Sequence, residues 1–169
     1  MAGLAVGPPV TDIAAELIAT LTARHHTIAV AESLTGGLLV AELIRIPGAS
    51  AVVRGGVVAY DTALKHTLLG VDAEVLAAHG PVHPDVAAQM AAGVRDHLAV
   101  AGEPAHIGIS TTGVAGPDPQ DGVDVGTVYL GFAIGSEVRT RRLELGGTRD
   151  EIRSLVVYES LVELKNLVG

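Results

Sequence analysis

The chain contains no cysteine. That excludes a disulfide scaffold, a thiol nucleophile and a thiolate metal site together. Aromatic residues are almost as scarce. Tyr60, Tyr129, Phe132 and Tyr158 are all that 169 residues hold, so no row of stacking rings is available for single-stranded nucleic acid. Basic residues are also in deficit: 11 Lys and Arg face 19 Asp and Glu, a formal net charge of -8. That is the wrong sign for a surface that neutralises many phosphates. No apolar run reaches membrane-spanning length, and the first ten residues lack the basic start of a targeting segment. We expect a cytoplasmic protein that binds neither nucleic acid nor membrane, with chemistry carried by oxygen and nitrogen.

What the chain does have is aliphatic material. Hydrophobic residues make up 49% and charged residues 18%, enough for the core of one compact domain over residues 1–169. Residues 1–9, with Pro8 and Pro9, are expected to be a disordered tail. Ile13, Leu17, Ile18 and Leu21 then share a helical face, with Thr11 as the expected N-cap. Thr27 to Glu32 reads as a short β-branched strand that stops at Ser33-Leu-Thr-Gly-Gly37, and a helix with Leu39, Leu43 and Ile44 follows, ended by Pro47-Gly48. Ala51 to Tyr60 reads as a strand with a bulge or a close backbone approach at Gly55-Gly56. Asp61, Asp72 and His83-Pro84 open three helices, the last running to about Val100. His106 to Ser110, Gly126 to Ile134 and Glu137 to Leu145 read as strands, and the capping box Thr148-x-x-Glu151 starts a final helix with Ile152, Leu155, Val156 and Leu161 on its apolar face. Strands interleaved with helices, then a hairpin, then a helix predict a three-layer α/β/α domain with a mixed sheet.

Three segments carry groups suited to chemistry. Ser33 stands where a strand ends and a helix begins, beside N–H groups that can face an oxyanion or an anionic ligand; the same segment also reads as a plain capped helix. Tyr60 at a strand end and Lys65 on the next helix can converge, and a desolvated lysine can lose its proton near neutral pH and accept one from a serine; the pair also reads as a core-edge tyrosine and a solvated lysine. Their spacing of five, with no Gly-x-Gly-x-x-Gly before them, argues against a nicotinamide-dependent dehydrogenase. Ser110-Thr-Thr-Gly-Val-Ala-Gly-Pro117 is a strand entering a glycine-rich turn able to hold a phosphate, ribose or carboxamide, or simply a turn; the Gly-Lys-Ser/Thr ending of a Walker loop is missing. The seven histidines form no His-x-x-x-His pair, and Asp118, Asp121 and Asp124 lack the closing Glu of a calcium loop. No metal and no cofactor are expected.

Taken together, Ala31-Glu-Ser-Leu-Thr-Gly-Gly37, Pro47-Gly-Ala-Ser50, Arg54-Gly-Gly-Val-Val-Ala-Tyr60, Lys65 with Leu69-Gly-Val71, Thr112-Gly-Val-Ala-Gly-Pro117 and Gly126-Thr-Val-Tyr129 resemble the CinA C-terminal domain family, in its order and spacing from about residue 10 to the end. The resemblance implies hydrolysis of nicotinamide mononucleotide to nicotinic acid mononucleotide and ammonia, within pyridine-nucleotide salvage. It also implies a catalytic Ser33, Tyr60 and Lys65. Glu32, Thr35, Gly36, Gly37, Gly55, Gly56, Thr112, Gly113 and Gly116 are the expected substrate-binding set. Many relatives carry a larger N-terminal domain before this one, and the chain is read as a stand-alone amidase-type unit, with a homo-oligomer left open. Two departures stand out. Gly80-Pro-Val-His83 replaces a helix opening with Ser, and the loop Asp118 to Val125 lacks the Lys-Pro often found before the Gly-Thr-Val strand, removing a cation from the side expected to meet a phosphate.

The mechanism this implies is metal-free acyl transfer: neutral Lys65 takes the Ser33 proton directly or through Tyr60, and backbone N–H groups of Thr35 to Gly37 hold the oxyanion. Two alternatives belong beside it. One is a non-catalytic regulatory or partner-binding protein of the competence or DNA-damage response, and the other is an amidase for a different small amide.

Overall fold

The computed structural model describes residues 12–169. The expected tail of residues 1–9 and the expected cap Thr11 lie outside them. The first helix, α1 (Ile13–Arg24), is capped by Asp12, whose side chain accepts from the Ala15 N–H at 3.2 Å. Strand β1 (Ile28–Glu32) follows, then α2 (Leu38–Ile44), a short 3-10 turn (Ala49–Ala51) and β2 (Val53–Val58). Helices α3 (Thr62–Leu69), α4 (Ala73–His79) and α5 (Pro84–His97) lead to β3 (Ile107–Gly113), the hairpin of β4 (Thr127–Ile134) and β5 (Glu137–Glu144), and the long α6 (Arg149–Val168). No helix among the described residues is long and apolar enough to cross a membrane.

The sheet is mixed, in the order β2-β1-β3-β4-β5. β1 pairs parallel with β2 and β3, and the β3-β4-β5 meander is antiparallel. Helices cover both faces, so the expected three-layer α/β/α arrangement is what forms. Strand alternation divides the core. Ile28 and Val30 of β1 join Leu17, Leu39, Leu43 and Val156 on the α1, α2 and α6 side, while Ala29 and Ala31 join Leu69, Val86, Met90 and Val94 on the other. The second side is tight because α5 sits close on the sheet. A Cβ at Gly108 would overlap the Ala91 carbonyl, and one at Gly131 the Ala87 carbonyl.

Several boundaries differ from the sequence expectation, and β2 is shorter at both ends, Val53–Val58 in place of Ala51 to Tyr60. β3 continues past Ser110 to Gly113, because Gly131 to Val128 of β4 offer a partner ladder that the local sequence does not reveal. Helix α5 stops at His97, where Leu98 leaves helical geometry and its N–H returns to the Val94 and Asp96 carbonyls. The irregularity expected at Gly55-Gly56 lies one residue earlier, at Arg54: Ile28 pairs with Val53 and Ala29 with Gly55, and the pairing of Gly55 and Gly56 is regular.

Alternation also aims the end of β1. Glu32 continues the Ile28 and Val30 face toward α2, and the next residue turns toward α3. Neighbouring side chains with different chemistry are thereby sent to opposite sides of the sheet.

Candidate active site

Ser33 is the residue sent toward α3. Its N–H extends the β1–β3 ladder by donating to the Thr111 carbonyl at 3.0 Å. Its hydroxyl meets Lys65, whose Nζ lies 3.1 Å from Ser33 Oγ and donates to the Ala59 carbonyl at 2.7 Å. The lysine reaches this position from the first turns of α3, a helix started by Asp61, which accepts from the Ala63 N–H. Lys65 is only 1% exposed. Burial lowers its ammonium to about 8, with the Asp61 carboxylate opposing part of the shift. At neutral pH roughly one lysine in ten is then uncharged, against about one in three thousand at the unperturbed value. A neutral Nζ keeps an N–H for Ala59 and offers a lone pair to the Ser33 hydroxyl.

Ser33 and Lys65 open into a polar cavity of about 260 Å³. One wall is Thr112, Gly113 and Gly116 at the end of β3, where the Thr112 hydroxyl donates to the Pro81 carbonyl at 2.7 Å and ties down the α4–α5 connection. Asp118 and Gln120 stand at the rim. Tyr60 lines the mouth, yet its hydroxyl does not hydrogen-bond to Ser33 or Lys65. It accepts instead from Arg149 Nη2 at 3.1 Å, and Arg149 Nη1 donates to the Gly116 carbonyl at 2.7 Å. A larger groove of about 550 Å³ between α1, α2 and α6 is lined by Leu38, Val157, Tyr158 and Leu161 and, among the described residues, holds no nucleophile hydrogen-bonded to a base. Chemistry, not size, therefore marks the smaller cavity as the site.

The structure thus brings Ser33, Tyr60, Lys65, Thr112, Gly113 and Gly116 to one cavity. It does not bring the side chains of the remaining expected residues there. Glu32 is fully buried on the α2 side, where its carboxylate accepts from the N–H groups of Gly37 (3.0 Å), Leu39 (3.0 Å) and Val40 (2.9 Å). It is the cap of α2, not a substrate ligand. Gly37 is consequently occupied as a donor, and the Gly36 N–H closes the turn on the Ser33 carbonyl at 3.1 Å, so neither is free for an oxyanion. Thr35 is buried with its hydroxyl against that of Thr111 at 2.8 Å. Gly55 and Gly56 lie along β2, outside the cavity lining. Gly56 exists because a Cβ there would press on Val40 at 3.1 Å, and Gly55 takes a φ of 149°, which side-chain-bearing residues rarely adopt.

Arg149 was not among the expected residues. It offers a readable signal all the same: a cation directly after the N-cap Thr148 faces the positive end of its own helix, an unfavourable place unless something else requires it. Arg149 places a cation in the same cavity lining as Asp118 and Gln120. Among the described residues, no three His, Asp or Glu side chains gather as a metal-ligating group.

Comparison with known proteins places the chain in a family. The family described as the CinA C-terminal domain matches residues 10–168. A CinA-like protein of Frankia casuarinae is 48% identical over 153 residues, which are 90% of this chain and 34% of that protein. A CinA-like protein of Gemmatimonas aurantiaca is 46% identical over 157 residues, 91% of this chain and 35% of that one. The chain therefore spans about a third of the length of these curated relatives. Among solved structures, the competence-damaged protein (CinA) superfamily protein from Enterobacter cloacae superposes with a TM-score of 0.89 at 28% identity, covering 100% of this chain and 99% of that one. The competence/damage inducible protein CihA from Agrobacterium tumefaciens does so with 0.86 at 32% identity, covering 98% and 100%. The chain belongs to the CinA C-terminal domain family.

Proposed function

We propose that this chain is a serine amidohydrolase that converts the carboxamide of nicotinamide mononucleotide to a carboxylate, releasing ammonia within cytoplasmic pyridine-nucleotide salvage. The observation that carries the reading is the buried contact between Lys65 Nζ and Ser33 Oγ at 3.1 Å, with the lysine lowered to about 8. A base poised near working pH, in hydrogen-bond reach of a hydroxyl at a cavity wall, is the requirement for an activated serine. The substrate rests on the family resemblance, and Arg149 at the cavity mouth supports it by supplying a cation suited to a phosphate.

The steps balance as follows. Ser33 Oγ bonds to the carboxamide carbon, its proton passes to Lys65 Nζ, and the carbonyl π pair moves onto oxygen. Collapse of this oxyanion breaks the C–N bond, the departing nitrogen takes the proton from Lys65, and ammonia leaves. Water, giving a proton to the neutral Lys65, then attacks the ester. The Ser33 oxygen departs, recovers the proton, and the carboxylic acid is released.

The test is ammonia release from nicotinamide mononucleotide, with nicotinamide and glutamine as controls. Stoichiometric ammonia and nicotinic acid mononucleotide from the mononucleotide alone is the expected result. Release from a control amide alone would replace the substrate, and release from none would refute the amidase reading.

A further inference from the structure

The backbone of the nucleophile turn is almost fully committed. Among the described residues, every N–H from Ser33 to Ala41 has an acceptor except those of Leu34 and Thr35. Both residues are buried, at 3% and 0% exposed, and an unpaired N–H at such a site calls for a partner that arrives with a ligand. Leu34 lines the cavity beside Ser33. The N–H of the residue after a nucleophilic serine is a recurrent oxyanion donor in serine hydrolases.

The other side of the same turn is held from α6. Arg153 Nε donates to the Leu34 carbonyl at 2.9 Å, and Arg153 Nη2 to the Thr35 carbonyl at 3.3 Å. Arg153 does not line the cavity, and it reaches the site through the carbonyls of the turn. The Leu34 carbonyl and the Thr35 N–H belong to one peptide plane. A guanidinium on that carbonyl draws electron density through the plane, leaving its N–H a stronger donor, and it fixes the rotation of the turn. Glu32 secures the same turn from the opposite side by occupying the N–H groups of α2.

We propose that Arg153 is a positioning residue for catalysis, which aims and polarises the Leu34–Thr35 backbone so that the N–H groups of Leu34 and Thr35 receive the oxyanion formed when Ser33 attacks. This rests on the amidase reading. The role is confined to the transition state, since the ground-state carbonyl carries far less charge than the oxyanion.

The experiment uses Arg153→Ala and Arg153→Lys in the full chain, with two readouts. One is the kinetics of nicotinamide mononucleotide hydrolysis across pH. The other is the rate at which a fluorophosphonate labels Ser33, followed by intact mass: the Oγ–P bond forms, the P–F bond breaks, the proton goes to Lys65, fluoride leaves, and the phosphoryl oxygen takes the oxyanion position. Loss of one oxyanion donor costs about 10²- to 10³-fold in kcat, and an indirect positioning residue should cost roughly tenfold to a hundredfold. The expected result is that kcat and the labelling rate fall together in Arg153→Ala, KM stays within about twofold, and the acidic limb of the pH profile does not move. Arg153→Lys, which keeps the charge but cannot span both carbonyls, should fall between and decides the matter if the alanine variant does not fold. Unchanged kcat and labelling in a folded variant, a loss confined to KM, or a displaced acidic limb overturns the assignment. A wild-type protein labelled at Ser33 but inactive on the mononucleotide removes that substrate while the labelling comparison still tests Arg153. A wild-type Ser33 inert to both removes the amidase reading and this proposal with it.

Discussion

Arg149 holds the Tyr60 hydroxyl at 3.1 Å, across 89 residues of sequence, and so turns the phenol toward α6 instead of toward Lys65. Lys65 reaches Ser33 directly. Tyr60→Phe should therefore retain most of kcat and raise KM several-fold, because the change frees Arg149 from a fixed position at the cavity mouth. Steady-state kinetics with the mononucleotide decides it. A loss in kcat as large as that of Lys65→Ala would instead make the phenol an obligatory proton relay.

If the neutral amine is the base, activity follows its deprotonation. With Lys65 lowered to about 8, kcat/KM should rise with pH through an acidic limb centred near that value and level off above it. Lys65→Arg keeps the charge and most of the stem but cannot give up its proton, so it should be as inactive as Lys65→Ala. A pH-rate series on all three proteins checks both statements. Near-normal turnover in Lys65→Arg would reduce Lys65 to a positive charge.

The same burial makes Lys65 a liability for stability. The native amine releases its proton at about 8 and the unfolded one near 10.5, so between these values the unfolded chain binds more protons and wild-type stability rises with pH. Below about 8 the full cost of burying the cation is present. Lys65→Met, similar in shape and uncharged, should raise stability at pH 7 on the order of 1–3 kcal/mol, a gain that shrinks as pH passes from 8 to 10.5. Urea unfolding of both proteins at pH 7 and pH 10 measures it. A variant less stable than wild type at pH 7 would mean that the Ser33 and Ala59 contacts outweigh the desolvation.

Ser33→Ala should abolish turnover and leave the melting temperature nearly unchanged. The residue contributes a small side chain at 7% exposure to a turn whose geometry is set by its backbone. Calorimetry alongside the ammonia assay tests this, and measurable wild-type-like turnover in a folded variant would remove Ser33 as nucleophile.

The fold was legible where the signal is local. Short apolar runs rich in β-branched residues give β1 and β4, the capping box gives the start of α6, and Asp61 gives the start of α3. The strand-turn-helix at Ser33 and the short helix carrying Lys65 were legible locally, whereas their pairing was implied by the family resemblance and is seen as the contact between Lys65 of α3 and Ser33 at the end of β1. Arg149 and Arg153 were not legible, because their partners Tyr60, Leu34 and Thr35 are 89 to 119 residues away and meet them only when α6 folds back over the sheet. Glu32, expected in the substrate-binding set, is sent by strand alternation to the α2 side of the sheet, away from Ser33. The glycines of β2 were read as site residues, but contacts with α2 and the backbone of an edge strand explain them.

Glu32 is where fold and site meet, and its replacement should separate the two acceptor oxygens. Oε2 accepts from Gly37 and Leu39, and Oε1 accepts from Val40. Helix α2, with seven residues, is too short to persist by propensity and depends on this cap together with the burial of Leu39 and Leu43. In Glu32→Gln the amide oxygen can serve one set of donors while its NH2 group faces another N–H, leaving a buried donor unmet at a cost of about 1–3 kcal/mol. Glu32→Ala leaves all three unmet and should cost more. Glu32→Asp keeps the charge but is one methylene short of the helix, so it should not restore wild-type stability. Urea midpoints of the three variants should therefore fall in the order wild type, Gln, Ala, with Asp below wild type. Because Glu32 anchors the turn that carries Ser33, kcat should decline with them, while the acidic limb set by Lys65 stays in place. Equal stability of Glu32→Ala and wild type would show that α2 is held by its apolar face alone.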